Sequence, residues 1–281
     1  MRVGETVVIV KMASSAGPAY EVIDRYRLLP VGMILGFFFL LAILLGGIRG
    51  ATSILGLVVT ILVLAKFIVP RILAGQNPLA ISLAGAFVIA LLSIFLAHGL
   101  SRRTTIALVS TLLALAIGAF LSAFFVSLTR LFGVGTEEAF YLQLGPLEKL
   151  NLRGLLLGGI ILGALGVLDD VTTAQAGAVD EISQANPNLR YAELYRRGLS
   201  VGREHITSLV NTLVLAYAGA SLPLFLLFSL GLGQPLWVLL NSEFIVEEVV
   251  RTLVGSICLM LAVPITTTLA AYVFHRIRVV E

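Results

Sequence analysis

Charge is what this chain has least of. Only 12% of its 281 residues are Asp, Glu, Lys or Arg, against about 25% in an ordinary soluble domain, too few to cover a surface in water. Cysteine is nearly absent: Cys258 alone excludes an intrachain disulfide and a thiolate zinc site. It lies in an apolar run, where a thiol packs as a small hydrophobe. The net charge is +3 with no dense basic run, so nucleic acid is not an expected partner. Catalytic signatures are missing as well. There is no Gly-x-Ser-x-Gly nucleophile elbow. Glu204-His205 lacks the second His of a His-Glu-x-x-His zinc motif, and no Gly-x-x-x-x-Gly-Lys-Ser/Thr phosphate loop occurs. An aspartyl protease needs deep Asp residues on two helices, and one stretch here carries them. The chain is not expected to be an enzyme, and neither a cofactor nor a metal is expected.

What is abundant is apolar sequence: 58% hydrophobic residues and a mean hydropathy of +1.03. A hydrocarbon core about 30 Å thick takes about 20 apolar helical residues to cross. Seven stretches qualify or nearly do: 31–48, 51–69, 78–97, 104–128, 152–179, 206–230 and 249–274. Gly, Pro, Asn and charge punctuate the breaks between them, as helix ends require, and no period-2 barrel pattern is present. The expectation is an all-α, polytopic transmembrane helical bundle of about seven spans, with the lipid bilayer as its surroundings. Gly32 and Gly36, and Gly154, Gly158 or Gly159, and Gly163, have the spacing that lets helix backbones approach closely in lipid. Trp237 reads as an interfacial anchor.

Basic residues in the loops orient the bundle. The loop 231–248 has no Lys or Arg and carries Glu243, Glu247 and Glu248, whereas Arg190, Arg196, Arg197 and Arg203 precede the sixth span and Arg276 and Arg278 follow the seventh. Arg102 and Arg103 fall on that basic side; Arg130, Lys149 and Arg153 weaken the bias without reversing it. The C-terminus is expected in the cytoplasm of a bacterium, the protein in its inner membrane, and the N-terminus outside. Residues 1–29 then form an extracytoplasmic segment, distinct from the helical domain 30–281. That segment alternates in strand-like fashion at Gly4–Lys11 and again from Tyr20, and no signal-peptide pattern precedes it. It reads as the β-like remnant of a truncated β domain, with a peripheral N-terminal tail as the alternative.

Three segments break the apolar pattern. In the fifth span Asp169 and Asp170 lie about seventeen residues in, where a carboxylate costs several kcal/mol unless it faces a cavity or a partner. Asp170, Thr173, Gly177 and Glu181 recur on one helical stripe, with Asp169 and Thr172 on its edge. In the sixth, Arg203, Glu204 and His205 stand at the cytoplasmic entrance and Asn211 lies within the membrane. An unpaired amide there is costly, and the Asp stripe is its expected partner. Asp170 is expected to face the bundle interior near Asn211 or Arg251. The seventh opens on Glu247 and Glu248, either of which can pair with Arg251 on the same helix. It is bent by Pro264, with Thr266–Thr268 able to satisfy freed backbone groups.

At these residues the chain resembles the YibE/F-like bacterial membrane proteins over about 20–272. The resemblance rests on Gly-Ala-Leu-Gly-Val-Leu-Asp-Asp-Val-Thr (163–172), Asn-Pro (186–187), Gly-Arg-Glu-His-Ile (202–206) and Asn-Thr-Leu-Val-Leu-Ala-Tyr-Ala-Gly (211–219). The segments 247–256 and Val-Pro-Ile-Thr (263–266) complete it. It implies an additional N-terminal helix and an external β domain upstream, and it marks Asp170 as the family's acidic position, with Asp169 variable. By architecture it implies a transporter or permease. The expected function is therefore secondary transport of a small solute or ion, coupled to protons or Na⁺ through Asp169, Asp170 and Glu181. The alternative is a non-transporting scaffold or regulatory subunit, in a homo-oligomer or with a membrane partner.

Overall fold

In a computed structural model the described residues are 5–14, 17–144, 150–223, 226 and 235–280. Arg2, Lys149 and most of 224–234, the end of the expected sixth span and the start of the loop after it, lie outside them. The chain divides into two compact units, Met1–Ile54 and Leu55–Glu281.

The first unit opens on an antiparallel hairpin, β1 (Val7–Ser14) and β2 (Gly17–Arg25), with Val10 opposite Glu21 and a register shift at Val8/Ile9. Just beyond it Arg27 donates to Asp24 at 2.6 Å, and this bond holds the Asp24 carboxyl below its ordinary range. Helix α1 (Leu28–Val63) follows. It is interrupted at Gly47, whose φ of 58° and ψ of −136° are not helical. Only a residue without Cβ takes such a conformation freely, and the reversal brings Gly50 against the Ala42 carbonyl. Gly32 and Gly36 meet nothing within 4 Å, so the small-residue spacing there packs no described neighbour.

Beyond Gly47 the helix runs through a π-helical turn (Leu64–Ile68) into α2 (Val69–Leu73). Then come α3 (Pro78–His98), α4 (Arg102–Leu128), α5 (Glu137–Leu144), α6 (Leu152–Ala185), α7 (Tyr191–Ala220), α8 (Leu236–Leu240) and α9 (Glu243–Val280). The starts have local causes. Asn77, Ser101 and Asn151 accept from the backbone N–H three residues on, at 3.2, 3.1 and 2.8 Å, satisfying donors that a helix leaves orphaned.

Among the described residues five helical runs are long and apolar enough to cross a membrane: Leu28–Leu73, Pro78–His98, Arg102–Leu128, Leu152–Ala185 and Glu243–Arg276. The first spans 46 residues, about twice what one crossing takes, and it contains both of the first two expected spans. The described part of α7 does not qualify, because a polar face runs along it. In the second unit α3, α4, α6 and α9 pack around one core that includes Ile94, Ile160, Ile161, Leu168, Val254 and Val263. α7 lies against α6 and α9. Gly158 lets α6 approach Ser82 of α3, and Cys258, fully buried, fills the space over Gly118.

Candidate functional site

α6 stays helical from Leu152 to Ala185, so Asp169 and Asp170 are mid-helix residues and not a solvated terminus. Successive residues on a helix are turned by about 100°, so the two carboxyls cannot share an environment. α6 buries Leu165, Leu168, Thr172, Gln175, Ala176 and Val179. Asp169 flanks that stripe on the side of α3, half-buried, and Asp170 points away from it, exposed. The expectation of Asp170 in the interior beside Asn211 or Arg251 is thus corrected. It is Asp169 that turns inward.

The Asp169 carboxyl accepts a hydrogen bond from Ser93 Oγ of α3 at 3.1 Å through Oδ2, while Oδ1 is buried with no hydrogen-bond partner. Thr173, one turn on, is 6% exposed, and its hydroxyl reaches the Asp169 carboxyl without a well-aligned hydrogen bond to it or to any other described residue. His98, at the end of α3, and Asp170 are the charged or titratable groups close enough to act on Asp169. A second tie joins α6 to α4, where Thr172 and Thr111 meet hydroxyl to hydroxyl at 2.7 Å, both fully buried.

Gln175 was no candidate, yet it ties α6 to two neighbouring helices. Fully buried, it donates from Nε2 to the Gly198 carbonyl of α7 and to Thr267 Oγ1 of α9, both at 2.8 Å. Thr267 donates in turn to the Val263 carbonyl at 2.7 Å, so its oxygen is free to accept, and the amide's orientation follows. Gly202 allows the close approach, since a Cβ there would meet both Val263 and Gln175. The sequence signal was a lone amide between alanines, in Thr-Thr-Ala-Gln-Ala-Gly.

The remaining candidates lie apart. Glu181, Arg203, Glu204, His205 and Asn211 are exposed, and neither Asp170 nor Asn211 makes a side-chain hydrogen bond or ion pair among the described residues. The expected contact between Asn211 and the Asp stripe is therefore not formed. α7 turns Leu194, Gly198, Gly202 and Leu213 inward, a spacing near one or three turns that leaves Glu204, Ser208 and Asn211 on the outer face. Pro264 does not break α9, and Thr266, Thr267 and Thr268 donate to the carbonyls of Ala262, Val263 and Pro264. The carbonyl that Pro264 frees is that of Met260, four residues back.

Glu247, Glu248 and Arg251 stand at the opposite end of the bundle. Of the two possible pairs with Arg251 the structure forms that with Glu248, at 3.6 Å. Glu247, 2% exposed, accepts instead from the Gly135 N–H at 3.0 Å. Beside it Glu243, which no motif singled out, accepts from the N–H groups of Phe132, Gly133 and Val134 at 2.6, 2.9 and 3.3 Å. Successive N–H groups turned to one side make an anion-holding concavity, filled here by the protein's own carboxylate. Between α7 and α9 runs an open apolar groove of about 220 Å³ with Tyr217, Ser221, Glu248 and Thr252 on its walls, smaller than the roughly 300 Å³ at which drug-sized pockets begin.

Long apolar helices with polar contacts made across them define a polytopic helical membrane protein. The chain belongs to the YibE/F-like protein family, whose profile matches residues 34–276. No curated protein and no solved structure matches it.

Proposed function

We propose that this protein is a secondary transporter or permease of a small solute or ion in the bacterial inner membrane, coupled to an ion through an intramembrane carboxylate and carrying out no enzymatic step. Asp169 carries this reading: a half-buried carboxyl within an apolar helix, held by one hydroxyl and with a buried oxygen left over. Carboxylates so placed serve as relays and ion sites. Seven crossings are consistent with the fold, since the Gly47 reversal divides the first run in two and α7 enters the apolar stretch 206–230. A cytoplasmic C-terminus follows from the basic residues at the end of the bundle where Arg103 packs on Gly177.

The test is flux in proteoliposomes, with a pH-sensitive dye and ²²Na⁺ as the probes. Asp169→Asn should abolish ion movement while the protein stays folded and inserted, and Asp170→Asn should retain it. Equal flux in wild type and both variants would end the coupling hypothesis. A second reading, a scaffold subunit, is favoured by one observation: Asp170 and Asn211 are exposed on long helices, where lipid is a poor neighbour for them. A second copy or a partner subunit would cover that face, and co-purification of such a partner with no flux would favour it.

A further inference from the structure

We infer that Asp169, Thr173 and Ser93 form a binding site for a small, hard monovalent cation, with Na⁺ as the cation whose charge and oxygen preference the residues fit. The inference deepens the transport reading and rests on it for the site's purpose.

The first argument is hydrogen-bond accounting. A buried hydroxyl in a helix ordinarily donates to the carbonyl four residues back, and this chain follows that habit. Ser110, Ser122, Ser256, Thr266 and Thr267, all buried, do so at 2.7 to 2.9 Å. Thr173 departs from it. Its hydroxyl is buried, donates to no helical carbonyl and makes no well-aligned hydrogen bond among the described residues; it stands within reach of the Asp169 carboxyl, whose second oxygen has no aligned partner either. Residues four apart on a helix are neighbours, and the Thr173 hydroxyl does reach the Asp169 carboxyl, with the Ser93 hydroxyl on the same carboxyl. Buried polar atoms are nearly always paired, and those that are not call for a ligand or a function.

Charge then selects the ligand. No Lys or Arg pairs with Asp169 among the described residues. The charged or titratable groups within electrostatic range of it are Asp170, exposed on its own helix, and His98, exposed at the end of α3. One half-buried negative charge balances one positive charge. A divalent ion is held by several carboxylates, and no cluster of three His, Cys, Asp or Glu exists among the described residues. Carboxylate and hydroxyl oxygens are hard donors, with no sulfur or imidazole to favour a transition metal. The side chains supply three oxygens, and water or backbone carbonyls complete the shell.

Thermal unfolding of the purified full-length protein in detergent tests the site, with NaCl replacing choline chloride at fixed ionic strength. Na⁺ should raise the wild-type midpoint saturably, as any ligand of the folded state does. Asp169→Asn should remove the response, and Thr173→Val, which keeps the side chain's shape, should weaken apparent Na⁺ affinity at least about tenfold. Asp170→Asn should respond like wild type. Direct ²²Na⁺ binding covers the case in which Asp169→Asn fails to fold, because Thr173→Val must then still lose binding. A midpoint indifferent to Na⁺, or a Thr173→Val response equal to wild type, overturns the site. Flux that follows only the proton gradient, with no Na⁺ effect on unfolding, sinks the cation site and leaves transport standing. Saturable Na⁺ binding lost in Thr173→Val, with no flux under any condition, upholds the site and sinks transport.

Discussion

Gln175 and Asp170 show how little a residue's chemistry says about its direction. Both are polar residues in one apolar helix, five positions apart. Gln175 is fully buried and ties α6 to α7 and α9, and Asp170 is exposed. Interhelical hydrogen bonds in membranes contribute about 0.6 kcal/mol each on average, so volume should matter more than bonding at Gln175. Gln175→Leu, which conserves volume, should cost about 1 kcal/mol, whereas Gln175→Ala opens a cavity and should cost about 2 to 4. Unfolding in detergent measures both. If Leu costs as much as Ala, the bonds outweigh the packing.

The outer start of α9 works as an element through the loop it clasps. Glu243 and Glu247 accept four backbone N–H groups from residues 132–135, bracing α4 to α9. The loop's shape depends on Gly133, with φ at 84° and the Leu152 carbonyl where a Cβ would stand. Gly133→Ala should therefore destabilise by at least about 2 kcal/mol. Glu243→Gln keeps one oxygen for the same N–H groups and loses only the charge assistance, so it should cost about 1 kcal/mol. A larger loss in Glu243→Gln than in Gly133→Ala would mean that charge, and not loop geometry, holds the clasp.

For the whole molecule the decisive quantity is which end of the bundle faces the cytoplasm. Arg102, Arg103, Arg190 and Arg276 lie at helix ends on the side where α3 ends and α9 terminates, opposite the Glu243–Glu247 clasp. Fully buried Cys258 should leave the wild type nearly silent to a membrane-impermeant maleimide. Asn241→Cys, at an exposed position, should be labelled on intact cells. A cysteine appended after Glu281 should be labelled only once the cells are permeabilised. The opposite pattern would invert the topology.

Membrane class, many helix ends and the break near Gly47 were legible in the sequence. They follow from local facts: the length of apolar runs, Gly, Pro and capping residues at their ends, and the thickness of a bilayer. Asp169 and Asp170 could be placed at depth for the same reason, because depth along a helix is a count of residues. Which of them turns inward could not be so counted. That depends on the rotation of α6 about its axis, which α3, α4 and α9 set together through the core around Leu168 and Val263. The partners of Glu243 and Glu247 were hidden for a related reason: their donors are backbone N–H groups about 110 residues away in sequence, and every residue type but proline carries one. Length and pattern determine where a helix crosses, and only packing decides what each of its faces meets.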